Sequence, residues 1–243
     1  MNCYFIALPS EERRVALLES WLRKTPLNFM WMSAKKGDDD LYGQYKDDER
    51  RKRYGFPMSP AEVGCFLSHQ LCWHAVADNG ETAIILESDA SPTSLDSFVR
   101  LIDYLALPSV ANSFDIVRLS GVFPHNEKFP RVIQSLEGFQ LIQPLGDPMG
   151  SAAYVVTPDA ARKLIDCSKE FFVPLDVFLG STWKHHLRVR SLRPYPIETL
   201  DCESVIGDRR RPKQSKLERV QIEFHRAYDD IKRILYIPFH YWR

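Results

Sequence analysis

Thr82-Ala83-Ile84-Ile85-Leu86-Glu87-Ser88-Asp89-Ala90 decides how this chain is read: an apolar run stops at two carboxylates one residue apart. Ala83 to Leu86, with β-branched Ile84 and Ile85 just after the Asn79-Gly80 breaker, predicts a short buried strand. Side chains alternate along an extended chain, which would put Glu87 and Asp89 on one side and Ser88 on the other. Two hard oxygen donors would then face one space. If the sheet is open and parallel, the carboxyl end of a strand is where ligands bind, so the pair is a candidate seat for a divalent cation carrying a phosphorylated substrate. An acidic strand end is also common without any ligand, and the surroundings decide between the two.

Upstream, Ser59-Pro60-Ala61-Glu62 is a capping box with proline at the first helical position, opening a helix to about Asp78. Val63, Phe66, Leu67 and Leu71 fill one side of it, and Cys65, Cys72, Ala75 and Val76 leave the other nearly apolar, so the helix should be buried and carry at least two histidines, His69 among them, into a covered environment. Further back, Cys3 to Leu8 reads as a strand and residues 11–24 as a helix striped by Val15, Leu18 and Leu22. Asn28 to Met32 is a second apolar run. The charged stretch Lys35 to Arg53 is expected to be a mobile surface loop or lid.

Downstream, Leu95 to Leu105 reads as a helix, Phe114 to Leu119 as a strand, and Arg131-Val132-Ile133 with Phe139 to Ile142 as a hairpin about Glu137-Gly138. Gly150-Ser151-Ala152-Ala153-Tyr154-Val155-Val156 is a strand entered through small residues that let another group approach the backbone, and Thr157-Pro158-Asp159 caps a helix to about Cys167. Asp176 follows Pro174 in the first turn of a further helix, Leu187 to Leu192 is a strand, and Glu198 to Gly207 a loop. This alternation predicts a single α/β domain with a mixed sheet over residues 1–208, followed by a basic and aromatic helical tail over 209–243.

Lys plus Arg and Asp plus Glu both number 32, and the zero net charge argues against a nucleic-acid partner. The five cysteines are scattered and show no C-x-x-C spacing, so they predict neither a zinc site nor a disulfide framework. The first apolar run is too short for a signal peptide and no run approaches a membrane span, which gives the expectation of a cytosolic protein, on the inner face of a membrane if it touches one.

Ile6-Ala7-Leu8 through Arg13-Arg14, Ala61 to His69, the Leu86-to-Asp89 turn, Gly150 to Tyr154, Pro174-Leu175-Asp176 and Ser204 to Gly207 follow one another in an order that resembles glycosyltransferase family 25, which holds lipopolysaccharide sugar transferases and procollagen galactosyltransferases. The resemblance implies a GT-A type, Rossmann-like nucleotide-sugar-binding domain, a donor that is typically UDP-galactose, a glycan or glycolipid acceptor such as lipopolysaccharide, and inversion at the anomeric carbon. Where the family usually shows Glu-Asp-Asp, this chain has Glu87-Ser88-Asp89.

Glycosyl transfer must neutralise a departing diphosphate, which assigns Asp89 and Glu87 to Mn2+ or Mg2+. An inverting reaction needs a general base; Asp176 is the first candidate and Glu62 the second. His69 would donate to the sugar or acceptor, Gly150 and Ser151 would let the donor lie against the backbone, and the resemblance adds Ser68, Tyr154 and Ser204 to the substrate-binding set. Two rivals stand: a catalytically weak relative that binds nucleotide sugar or glycan in an assembly, for which Ser88 speaks, and a sugar nucleotidyltransferase, against which the absence of a glycine-rich loop after Leu8 speaks. In the tail, Leu217 to Leu235 predicts a helix, and basic residues beside an aromatic end suit an anionic membrane surface.

Overall fold

The computed structural model describes residues 1–36, 43–123, 127, 129–136, 138–200 and 216–241. Its strands are β1 (Asn2–Ala7), β2 (Asn28–Ser33), β3 (Ala83–Glu87), β4 (Ala90–Pro92), β5 (Ile116–Arg118), β6 (Arg131–Leu136), β7 (Phe139–Gln143), β8 (Ala153–Val156), β9 (Val189–Arg193) and β10 (Ile197–Thr199). The helices are α1 (Glu12–Leu22), α2 (Asp47–Tyr54), α3 (Pro60–Asn79), α4 (Leu95–Leu105), α5 (Pro108–Ala111), α6 (Pro158–Cys167), α7 (Leu175–Gly180), α8 (Thr182–His185) and α9 (Lys216–Tyr241).

Eight strands form one mixed sheet in the order β2-β1-β3-β8-β5-β9-β7-β6, and β10 pairs with β4 beside it. β3 lies parallel to β1 and antiparallel to β8, so the acidic strand end meets the residues that lead into β8. Alternation along β3 sends Ile84 and Leu86 into a core with Leu18, Leu22, Phe98 and Leu101 of α1 and α4. Ala83 and Ile85 enter a second core with Phe66, Trp73 and Leu164 of α3 and α6. Both faces of the strand are therefore covered, which is why it reads as an unbroken apolar run.

The predicted capping box is present at α3: Glu62 N–H donates to Ser59 Oγ (3.2 Å) and Ser59 N–H to Glu62 Oε2 (2.8 Å), and the helix closes at Gly80. His69 is fully buried on it, but His74 is exposed, so one histidine of the helix enters the core rather than two.

The expected loop over Lys35 to Arg53 is corrected in part. Residues 37–42 lie outside the described set, whereas Asp47–Tyr54 is α2, with Asp47, Asp48 and Glu49 in its first turn and Arg51, Lys52 and Arg53 in its last. That order of charges complements the helix dipole at each end, Arg50 is buried against the rings of Tyr54 and Phe56, and the Lys46 N–H ties the helix start to the Phe171 carbonyl at 2.8 Å. Glu198 and Thr199, expected in a loop, lie instead in β10. α9 extends beyond the expected Leu217–Leu235 to Tyr241, continuing through Pro238 at the expense of one helical hydrogen bond.

Candidate active site

β3 ends at Glu87, and Ser88 and Asp89 form a turn into β4 rather than a continuation of the strand. Strand alternation therefore does not place Asp89. A backbone bond does, because Leu200 N–H, just past β10, donates to the Asp89 carbonyl at 2.9 Å. Ser88 turns away and donates to Glu11 Oε1 (3.2 Å), the carboxylate that also accepts the Leu8 N–H at the start of α1 (2.8 Å).

Glu87 Oε1 accepts from Ser151 Oγ at 2.6 Å and stands 3.4 Å from His69 Nε2. Burial alone would raise its pKa, but His69 and Ser151 outweigh it and hold the carboxyl below its ordinary value, so Glu87 is ionised near neutrality. Asp89 behaves oppositely. Burial and then the Glu87 charge push it up to about 6, and its Oδ1 is buried with no hydrogen-bond donor among the described residues. A crowded carboxylate with an orphaned oxygen beside an ionised one is a donor set that fits a hard divalent cation.

Behind Glu87 runs a chain of buried polar groups. Trp73 Nε1 can only donate, and it donates to Tyr154 Oη at 2.9 Å; Tyr154 Oη lies 2.8 Å from His69 Nδ1. All three groups are satisfied when the Tyr154 hydroxyl donates to Nδ1, which leaves the imidazole proton on Nε2, facing Glu87. Tyr154 and His69 thus stand behind the carboxylate. Ser68, also buried, donates to the Gly64 carbonyl (2.6 Å) and accepts the Lys35 N–H (2.8 Å), so its hydroxyl is engaged within the protein.

Cys65 was not singled out from the sequence, yet its Sγ, His69 Nε2 and Glu87 Oε1 all lie within 4.8 Å of one another. Its thiol is pushed well above the ordinary range, first by burial and then by the charges of Glu87, Asp176, Asp89 and Glu62. The four candidate acidic residues therefore come within electrostatic reach of one atom. A cysteine four residues before a histidine on a buried helix was the available signal, because that spacing stacks the two on one face.

Asp176 lies in the first turn of α7, where its Oδ1 accepts the Val177 N–H at 2.8 Å. Its placement comes from Arg118 at the end of β5, a residue the sequence did not mark. This guanidinium, only 2% exposed, donates to the carbonyls of Gly150 and of Asp176 (3.3 Å for the latter) and pairs with Asp147 at 3.2 Å. One buried side chain thus ties the segment before β8 to the start of α7. Gly150 has φ +85°, and an added Cβ would meet Val122 at 3.0 Å, so glycine is required by conformation and by space. Glu62 Oε2 is occupied by the Ser59 N–H and hydroxyl of its capping box. Ser204 lies outside the described residues.

The geometry brings His69 and Ser151 to Glu87 at the end of β3, with Tyr154 behind His69, Asp89 in the turn beyond and Asp176 within electrostatic reach of Cys65. Among solved structures of similar shape are a Drosophila β-1,4-galactosyltransferase 7 mutant in complex with manganese, UDP-Gal and xylobiose (7% identity, 90% of this chain and 78% of that one, TM-score 0.45). A UDP-glucose pyrophosphorylase complexed with UDP-glucose matches at 11% identity over 93% of this chain and 97% of that one, TM-score 0.38. Mouse xyloside xylosyltransferase 1 matches at 15% identity over 77% and 63%, TM-score 0.36. The profile of glycosyltransferase family 25 (LPS biosynthesis protein) matches residues 1–179. By that match, which spans well over half its length and includes Glu62, Glu87, Asp89 and Asp176, this chain belongs to glycosyltransferase family 25.

Proposed function

We propose that the protein is a metal-dependent, inverting hexosyltransferase that moves a sugar, galactose in the first instance, from a UDP donor to a glycan acceptor of the lipopolysaccharide kind, working at the inner face of a membrane. The observation that carries the metal-dependent reading is the orphaned, buried Asp89 Oδ1 beside an ionised Glu87. Asp89 and Glu87 would hold Mn2+ or Mg2+, and the bound ion would supply charge neutralisation for the departing diphosphate. His69 and Tyr154 keep Glu87 ionised and in place. Gly150 and Ser151 remain the proposed donor-side residues, Ser151 through its hydroxyl beside Glu87.

Asp176 is the proposed general base. It stands in the first turn of α7, and Arg118 fixes its backbone. Glu62 is the weaker candidate, because the capping box holds one of its oxygens.

The test is donor hydrolysis and transfer by the purified protein across a panel of UDP-, GDP- and CMP-sugars, with and without manganese. Manganese-dependent release of UDP supports the proposal. Release without any metal would remove the metal assignment, and release of pyrophosphate from a nucleoside triphosphate and sugar phosphate would make the protein a nucleotidyltransferase.

A further inference from the structure

α9 is built inside out for a helix on a protein surface. Among the described side chains, the face it turns to the domain is largely polar: Tyr54 Oη donates to Asp229 Oδ2 (3.4 Å), Arg233 Nη2 stands 3.8 Å from Asp147 Oδ2, and the Tyr236 hydroxyl meets His186 Nδ1 at 2.6 Å, with Ile222 a buried apolar residue among them. The opposite face carries Val220, Phe224, Tyr228, Ile231 and Leu235, spaced four, four, three and four residues apart and 47–68% exposed. A surface helix ordinarily does the reverse, and a contiguous outward apolar stripe marks a surface that meets something other than water. The stripe covers roughly 22 Å of helix at 1.5 Å per residue. No helix among the described residues is long and apolar enough to cross a membrane, so a lipid contact here would lie in the plane of the interface.

We infer that the outward face of α9 is a docking surface for an anionic lipid bilayer. Charge complementarity selects this occupant. Residues 209–243 hold ten of the 32 Lys and Arg but four of the 32 Asp and Glu, a net +6, which leaves −6 on residues 1–208. A tail of that net charge repels a second copy of itself and is neutralised by anionic headgroups. At the edge of the stripe Lys232 Nζ lies 4.3 Å over the Tyr228 ring, the arrangement of a cation and an aromatic ring at headgroup depth. The inference deepens the reading of an amphiphilic glycan acceptor and its usefulness rests on that reading, but its deciding readout, vesicle sedimentation, uses neither donor nor acceptor.

The full-length protein and the Phe224→Gln/Ile231→Gln variant are sedimented with equimolar phosphatidylglycerol and phosphatidylcholine vesicles, and with phosphatidylcholine alone, at low and high salt. The expected result is binding to the anionic vesicles at low salt, release at high salt, and a partition lower by roughly tenfold or more in the variant, with circular dichroism and metal-dependent donor hydrolysis unchanged. Equal sedimentation of the two proteins, or none of the wild type with anionic vesicles, overturns the inference. So does a dimer in light scattering that the variant converts to monomer, since the stripe then belongs to a second copy. Vesicle binding in a protein that hydrolyses no nucleotide sugar would sink the transferase reading and leave the docking surface standing.

Discussion

Asp89 and Ser88 are neighbours with opposite tasks. Asp89→Asn removes the charge that a cation would neutralise while keeping shape, so the variant is expected to fold, to lose most transferase activity, and to lose any rise in melting temperature that manganese gives the wild type. An equal manganese shift in both proteins would sink the assignment. Ser88→Asp, which would restore the family's usual acidic turn, replaces a donor to Glu11 with a second carboxylate. It is expected to cost about 1 kcal/mol, read as a lower melting temperature, rather than to improve metal binding. Asp176→Asn should lower turnover by ~10²-fold or more while donor binding survives; collapse of donor affinity with turnover intact would make Asp176 a binding residue. His185 offers a pH test away from the site. Its Nδ1 accepts the Leu187 N–H (3.2 Å) and its Nε2 faces the Leu179 carbonyl (3.2 Å), and burial pushes its pKa down from 6.5 to about 4. The folded state therefore binds this proton less readily than the unfolded chain. Its contribution is intact above pH 6.5 and is lost as pH falls toward 4, by about 3 kcal/mol in all. Denaturant titrations between those pH values should show the loss, and His185→Gln should flatten it.

At the scale of elements, α3 and β5 do most of the positioning. α3 is legible because its start is a capping box and two of its sides are mostly apolar, and the same burial brings Cys65 and His69 to the end of β3. β5 is legible as a strand but not as a clamp, since nothing in Ile116-Val117-Arg118 tells which carbonyls the guanidinium will reach. Arg118→Met would leave Asp147 buried beside a lost partner and free the Gly150 and Asp176 carbonyls, and a loss of roughly 3 kcal/mol or more is expected in chemical denaturation. A variant as stable as wild type would show that the guanidinium is dispensable to the clamp.

Across the whole molecule, the polarity of α9 can be checked without lipid. Ile222 is 3% exposed and Ile231 55%, although both are isoleucines on one helix. Ile222→Ala is expected to cost about 2 kcal/mol and Ile231→Ala less than ~0.5 kcal/mol; the reverse order would mean that the helix docks by its other face. The alternation of strands and helices, the hairpin of β6 and β7, the caps of α3 and α6 and the acidic end of β3 were determined by the sequence itself, because each rests on local periodicity or on a side chain bonding to backbone a few residues away. The tertiary structure alone decided the antiparallel entry of β8 beside β3, the turn that carries Asp89, the helix at α2, the Arg118 clamp and the inverted face of α9. These depend on partners tens of residues distant, and a periodicity reports which residues share a face without reporting what that face will meet.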